Sequence, residues 1–408
     1  MANTTLINLG DLYVSDFCDD KADCFTGSKY PLTLEYNERL KCAVLTSQPP
    51  HEMMWGKYWY RSAIQPVMKL ALESVVNDTL QFVGNRGKSP IWLDIASNDG
   101  TLLFYVPSDY RKIAIDPCEG DIADQCKLIA DVHIQDYFSS DVYNNALSEK
   151  ADVVTCCAMF YDLQDPVKFL MEVADVMKDD ALLVIQLTYT PFMWDMLDVG
   201  NICHEHYAYH TMDSIAHCIG EAGLYLRDVV YNDVNGGSVR VTITKNPYVN
   251  LGNPVKTSIG WYRVQKSLAN TKDPISEWEI FGERLSKLKY DLYSFLQKAK
   301  AQGKRVWGYG ASTKANTILQ ILGLSDIYID AIAERSPSKF NKFTKGSGIK
   351  ILSELEFQAS EPDYTIVFIW QFMDAVISRE SEYLKKGGTL IFLSPQLLFV
   401  TKDGIQKI

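Results

Sequence analysis

Short apolar runs separated by amphipathic stretches set the rhythm of the chain. IWLDIA (91–96) reads as a buried strand, followed at once by the turn SNDG and the segment TLLFYV. KIAID (112–116), ADVVTCCAMF (151–160) and ALLVIQLTY (181–189) repeat the theme, with amphipathic segments between them. One of these is DPVKFLMEVADVMKDD (165–180), where Val167, Leu170, Met171, Ala174 and Met177 fall on one helical face. Upstream, residues 61–85 carry apolar positions at helical spacing, with Gly84 and Gly87 as a stop. Strands alternating with helices of about 10–15 residues predict a parallel, doubly wound α/β sheet. The run VNGGSVRVTIT (234–244) alternates Val239, Val241 and Ile243 and suits an antiparallel edge strand. From 254 to 300 the pattern is helical and rich in Lys and Glu, as in a helical connector. A second strand-turn-helix unit opens at KRVWGYGAST (304–313) and continues through DIYIDAIAE (326–334), PDYTIVFIW (362–370) and GGTLIFLSP (387–395). The expectation is α/β, two tandem Rossmann-like domains at 61–250 and 301–408, a connector at 251–300 and a small N-terminal lobe at 1–60.

Composition narrows the function classes. Among 408 residues, 40 Lys and Arg face 51 Asp and Glu, for a net charge of −11. The cations are scattered, which argues against a nucleic-acid partner, because such binding needs them clustered. No apolar run approaches the ~20 residues that cross a bilayer; the longest candidate, 365–377, is broken by Gln371 and Asp374. The first residues lack a basic segment followed by an apolar core, so a cytoplasmic location is expected. The 9 cysteines, at 18, 24, 42, 118, 126, 156, 157, 203 and 218, form no CxxC pair. Reduced thiols follow, with neither a disulfide framework nor a four-cysteine zinc site.

Several constellations carry candidate chemistry. In LDIASNDG (93–100) a buried strand ends in a small-residue turn, where backbone amides approach a nucleotide closely. Asp116, at the end of the next strand, is placed to accept both hydroxyls of a ribose. A dinucleotide site would show GxGxxG; here Gly100 stands alone beside Asp94 and Asp99. An acidic turn repels a pyrophosphate and suits a cationic sulfonium, favouring S-adenosylmethionine over NAD. An ordinary βα turn with incidental carboxylates is the bland reading. In CHEHY (203–207) a His flanked by Glu can act as general base. His204, His206 and His210 as metal ligands, or as polar loop residues, are the rivals. Tyr58 and Tyr60 in YWYRS (58–62) can donate to a developing enolate or fill an aromatic plug. Asn235-Gly236-Gly237-Ser238 with Arg240 forms a glycine turn that a hairpin alone would explain. Gly308-Tyr309-Gly310-Ala311-Ser312-Thr313-Lys314 could hold a diphosphate through its amides, hydroxyls and lysine.

Taken in order, DIASNDGTLL, MFYDLQDP (159–166), ICHEHYAYH (202–210), NGGSVR (235–240) and GYGASTKAN (308–316) resemble the nucleotide-sugar C-methyltransferases. The similarity runs from about Gly10 to Pro395. It implies a class I S-adenosylmethionine-dependent methyltransferase domain and a C-terminal Rossmann-like domain that helps bind the sugar nucleotide. Asp94, Ser97, Asn98, Gly100 and Asp116 would contact the cofactor, with Met159 and Phe160 near its adenine and Tyr58 in the shared pocket. His206 matches the general base, with Glu205 its neighbour and Tyr60 a hydroxyl beside it. His204, Asn235, Ser238, Arg240, Gly310, Ser312 and Lys314 would face the sugar nucleotide. The reaction implied is removal of a proton alpha to a keto group and methylation of the resulting enolate carbon. The family's N-terminal zinc cysteines come in two close pairs, of which only Cys42 is retained, so zinc is expected to be absent. Cys203 stands where a characterised branch has Tyr, and Trp370-Gln371-Phe372 differs from the common pattern after the Trp. Two other readings compete: an NAD-dependent sugar-nucleotide oxidoreductase using Gly308–Gly310 with Asp330 as its ribose acid, and a non-catalytic methyltransferase relic.

Overall fold

In the computed structural model, which describes residues 4–55, 61–64, 66–83, 87–249 and 254–407, the first apolar runs form one seven-stranded sheet. Its order is Tyr225–Asn232, Ser238–Thr244, Met177–Thr188, Ala151–Cys157, Ile91–Ile95, Arg111–Ile115, Val132–Ile134. The last five run parallel, and Ser238–Thr244 enters antiparallel against Met177–Thr188. Both faces are covered, which is why the strands read as continuous apolar runs. Leu93 and Ile95 meet Phe160 and Leu170 on one side, while Trp92 meets Leu72, Val75 and Leu102 on the other. Strand order reverses between Ile91–Ile95 and Ala151–Cys157, where an open α/β sheet leaves a ligand crevice beyond the strand ends.

Two expectations change here. Ser238–Thr244 is not an edge strand, because Tyr225–Asn232 pairs outside it with Val229 opposite Val241. Every residue of the strand is buried; its alternation contrasts two interior faces rather than core and solvent. The helix expected over 165–180 is Pro166–Val176, capped by Asp165, which accepts the Lys168 amide. It buries Phe169, Leu170, Val173 and Val176, whereas Met171 is exposed. It stops there because Met177 already pairs with Ala151 in the sheet.

The second sheet has the order Ile351–Ser353, Ile332–Glu334, Val306–Tyr309, Tyr364–Val367, Thr389–Phe392, Leu398–Thr401, Gly404–Lys407. Its first five strands are parallel and the last two antiparallel. The reversal falls between Val306–Tyr309 and Tyr364–Val367, placing Gly310 and Trp370 at the second crevice.

The stretch from 254 to 300 consists of two helices that serve different sheets. Pro254–Ala269 lies on the first: Gly260 abuts the Arg227 carbonyl and Arg263 pairs with buried Asp228. Pro274–Ala301 buries Trp278, Phe281, Leu285, Leu288, Leu292 and Leu296 in the core that holds Val306 and Ile366. The N-terminal segment contributes Thr5–Leu12, Tyr30–Asn37 and Cys42–Leu45 to an antiparallel sheet completed by Ala208–Tyr209. Its Phe17–Cys18 pairs with Phe343–Thr344, and its Leu12, Leu32 and Leu34 join the core of the second sheet. It therefore touches both larger units.

Candidate active site

At the first crevice the chain leaves strand Ile91–Ile95 through Ala96, Asn98 and Gly100, all left-handed at φ 58, 50 and 77. A Cβ on Gly100 would lie 3.2 Å from Cys126 Cα, so helix Asp121–Lys127 can approach only a glycine. Asp94 is buried and accepts the Thr155 hydroxyl at 2.6 Å. Burial pushes its carboxyl up to about 7. Asp116 accepts the Asn98 amide at 2.7 Å and the Cys118 amide at 2.8 Å. Each oxygen thus carries one backbone donor and keeps a further lone pair. The Asn98 side chain takes the Ser62 amide, and Asp99 takes the Ala63 amide and the Thr101 hydroxyl. The segment 61–64 is thereby fastened over the turn. Ser97 lies against Cys126, oxygen to sulfur 3.5 Å. Half-buried Met159 follows strand Ala151–Cys157. Phe160, expected beside the adenine, instead turns into the core against the Phe169 and His210 rings. Tyr58 and Tyr60 lie outside the described residues.

The His-rich segment is a turn, not the strand that alternation of His204 and His206 assumed. Its three histidines go to separate places. His204 donates through Nε2 to the Tyr30 carbonyl at 3.1 Å, so it anchors the N-terminal sheet and is not free for a substrate. His210 donates through Nδ1 to Ser214, whose own proton goes to the Leu40 carbonyl. His206 donates through Nδ1 to the Asn201 carbonyl at 2.9 Å, and its ring lies 4.3 Å from that of Tyr161. A carbonyl only accepts, so Nδ1 carries the proton and Nε2 the lone pair. Burial and the Lys314 charge hold its imidazole down at about 3, hence neutral at physiological pH. Burial raises the Glu205 carboxyl, which accepts the Cys203 thiol proton. Asp162, in the turn after strand Ala151–Cys157, is pushed well above the carboxylate range by burial and by Glu205. Among the described residues no group of three His, Cys, Asp or Glu could hold a metal ion.

The second crevice opens onto the same turn. Asp198 is buried and accepts from Asn201 Nδ2 and from the Trp370 side chain. Gly200 lies against Lys314 and Ile318, and Gly236 against the Trp370 ring, 2.6 Å from where a Cβ would stand. Nothing in the sequence marks Asp198 or Asn201, which sit in a short turn of ordinary composition. Asn235 is left-handed at φ 55, and the Ser238 hydroxyl donates to the Val234 carbonyl. Arg240 is a correction: Gln186, Ser74 and Asp78 engage its guanidinium in the interior. It borders a separate cavity of about 250 Å³ with Phe82, Ile259 and Arg263, facing helix Pro254–Ala269. Gly310, at φ 88, packs against Ile369, and Ser312 caps helix Thr313–Ile321 by accepting the Ala315 amide. Asp330 precedes strand Ile332–Glu334 instead of ending it; Glu334 holds the end, where it accepts the Arg335 and Ser336 amides.

Residues 68–229 match the model of a methyltransferase domain, and residues 233–395 that of the C-methyltransferase C-terminal domain. The chain is similar to the C-methyltransferase NovU of Streptomyces niveus, 25% identical over 237 residues, covering 58% of this chain and 56% of that protein. It thus spans about half the length of the curated relative it matches. Similar solved structures include a SAM-dependent methyltransferase from Aquifex aeolicus (19% identity, TM-score 0.32, 45% of this chain and 94% of that one). Another is magnesium protoporphyrin IX methyltransferase from Synechocystis with bound SAH (11% identity, TM-score 0.35, 45% and 88%). Along the sequence, a methyltransferase-domain match is thus followed directly by a C-methyltransferase C-terminal-domain match.

Proposed function

We propose that the protein methylates a carbon alpha to the keto group of a nucleotide-linked sugar, with S-adenosylmethionine as donor and His206 as general base. The observation that carries this reading is the state of His206: a neutral imidazole with its proton fixed on Nδ1 by the Asn201 carbonyl and Nε2 left as acceptor. It stands against Tyr161, in the turn that follows strand Ala151–Cys157 at the first crevice. The residues of that crevice fit the donor. Asp116 keeps lone pairs for hydroxyls, and Asp94 offers a carboxylate to a cation. When bound, the donor supplies an electrophilic methyl group on sulfur. The chain orients the sugar between the two crevices, with Gly310, Ser312 and Asn235 on its nucleotide side, and removes the alpha proton to Nε2. Glu205 and the Cys203 thiol beneath the base support the turn.

Calorimetric titration with S-adenosylhomocysteine and, separately, NAD tests the cofactor assignment. Micromolar binding of the first and none of the second is expected, and the reverse would retire it. His206→Gln tests the base: methyl transfer to keto-sugar nucleotides should vanish. Affinity for S-adenosylhomocysteine should stay within about threefold, ~0.65 kcal/mol. Loss of that affinity would remove His206 from the role of base.

A further inference from the structure

Removing a proton alpha to a ketone calls for a hydrogen-bond donor or a positive charge at the ketone oxygen as well as a base. In the sequence Lys314 belongs to a loop that reads as a diphosphate cradle. In the structure Lys314 is the second residue of helix Thr313–Ile321, directly after that loop. Ser312 caps its own helix, and Lys339 holds the Ala311 carbonyl at 2.8 Å. Lys314 instead lies across Gly200, where a Cβ would stand 3.3 Å from its own Cβ, in the turn that carries Asp198 and Asn201. That turn presents the carbonyl to which His206 donates. The Lys314 charge is felt both at the Asp198 carboxyl and at the His206 imidazole. Its ammonium makes no hydrogen bond or ion pair with any described residue. A cation on the helix that follows Val306–Tyr309 thus lies beside the turn that holds the base.

We propose that Lys314 donates to the ketone oxygen of the sugar while Nε2 of His206 takes the proton from the adjacent carbon. This deepens the keto-sugar reading and rests on it. The carbon–hydrogen bond breaks and its electron pair becomes the carbon–carbon double bond of an enolate. The oxygen takes up the carbonyl π pair, and the Lys314 ammonium stabilises that negative charge. In the second step the enolate carbon forms a bond to the donor methyl as the sulfur–methyl bond breaks. The carbonyl re-forms, sulfur keeps its electron pair, and the imidazolium releases its proton to water. The arrangement also explains how so reluctant a base functions. Protonation of a buried imidazole is tolerated when negative charge appears beside it in the same step, and Lys314 fixes where that charge appears. Asp198 is the nearby counter-charge for the ammonium.

The test compares Lys314→Met and Lys314→Arg with the parent in two measurements. The first uses a nucleoside-diphosphate 4-keto-6-deoxyhexose and follows both methyl transfer and exchange of the alpha proton with D2O. Lys314→Met should lower kcat and exchange by about 100-fold with KM within about threefold, and Lys314→Arg should recover part of both. A raised KM with unchanged kcat would put Lys314 on the diphosphate and overturn the proposal. The second follows the His206 imidazole by NMR in the free protein and needs no sugar. Its pKa should rise in Lys314→Met and stay low in Lys314→Arg; an unchanged value in Lys314→Met would overturn the proposed juxtaposition. If the NMR shift occurs but the parent neither exchanges nor methylates any keto-sugar nucleotide, the substrate reading falls and this proposal falls with it.

Discussion

Asp94 and His206 show how burial acts in opposite directions on an acid and a base. Burial favours the neutral form of each, so the Asp94 carboxyl rises to about 7 and the His206 imidazole falls to about 3. For Asp94 the folded value lies above the unfolded one. Its contribution to stability is therefore complete below about pH 4 and lost as the pH rises through 7. A bound sulfonium would reverse the preference by favouring the carboxylate. Affinity for S-adenosylmethionine should accordingly rise between pH 6 and 8, with proton release detectable by calorimetry in buffers of different ionisation enthalpy. Asp94→Asn should flatten that profile, weaken binding at pH 8, and raise the Tm of the free protein there by about 3 °C. A profile equally steep in the variant would place the titration elsewhere. The sequence made the acidic turn legible, because carboxylates at a strand end stand out against an apolar run. It could not show that Thr155, from a neighbouring strand, already holds Asp94, or that both Asp116 oxygens carry amides.

At the scale of elements, the strands were legible wherever both faces are buried, since an uninterrupted apolar run has few other uses. Phase and neighbours were less so. In the helix at 166–176, Val167, Leu170 and Ala174 pack on the core as the spacing indicates, but the stripe is rotated toward Phe169 and Val173, which leaves Met171 exposed. Ser238–Thr244 was read as an edge because its polar face is buried as well. The glycine turn before that strand shows what a hairpin reading omits. Gly236 has φ 89 and carries the Trp370 ring where a side chain would stand, while Trp370 hydrogen-bonds to Asp198. Gly236→Ala should therefore act on the other crevice, shifting Trp370 off Asp198 and loosening the support of the base. Methyl transfer should fall at least tenfold, about 1.4 kcal/mol, with S-adenosylhomocysteine affinity retained. Unimpaired turnover would mean that the glycine serves only the turn.

For the whole molecule, the spacing of strands and helices indicates two α/β sheets in tandem but not which segments of the two come together. That is a property of packing between distant segments: Lys314 lies against Gly200, in the turn whose Asn201 carbonyl accepts from His206. The N-terminal strands hold the base turn from a third side, through Gln48 to the His204 carbonyl and Ala208 opposite Val44. Helix Pro274–Ala301 braces the arrangement. Its Arg284 donates to the Trp194 and Asp195 carbonyls, just before Asp198, and at 3.0 Å to the Pro395 carbonyl beyond the second sheet's fifth strand. No sequence motif marks this residue, because a lysine- and glutamate-rich helix has many such cations. If catalysis depends on alignment of the two crevices, Arg284→Ala should separate functions that reside in different sheets. The turn proposed to hold the cofactor follows strand Ile91–Ile95 of the first sheet, so S-adenosylhomocysteine affinity should be unchanged. Methyl transfer needs both sheets and should fall about tenfold, about 1.4 kcal/mol in barrier, with a stability loss of about 1–3 kcal/mol from carbonyls left without a donor. Equal losses of affinity and turnover would indicate general unfolding, and an unaffected turnover would show that the crevices are held together without this brace.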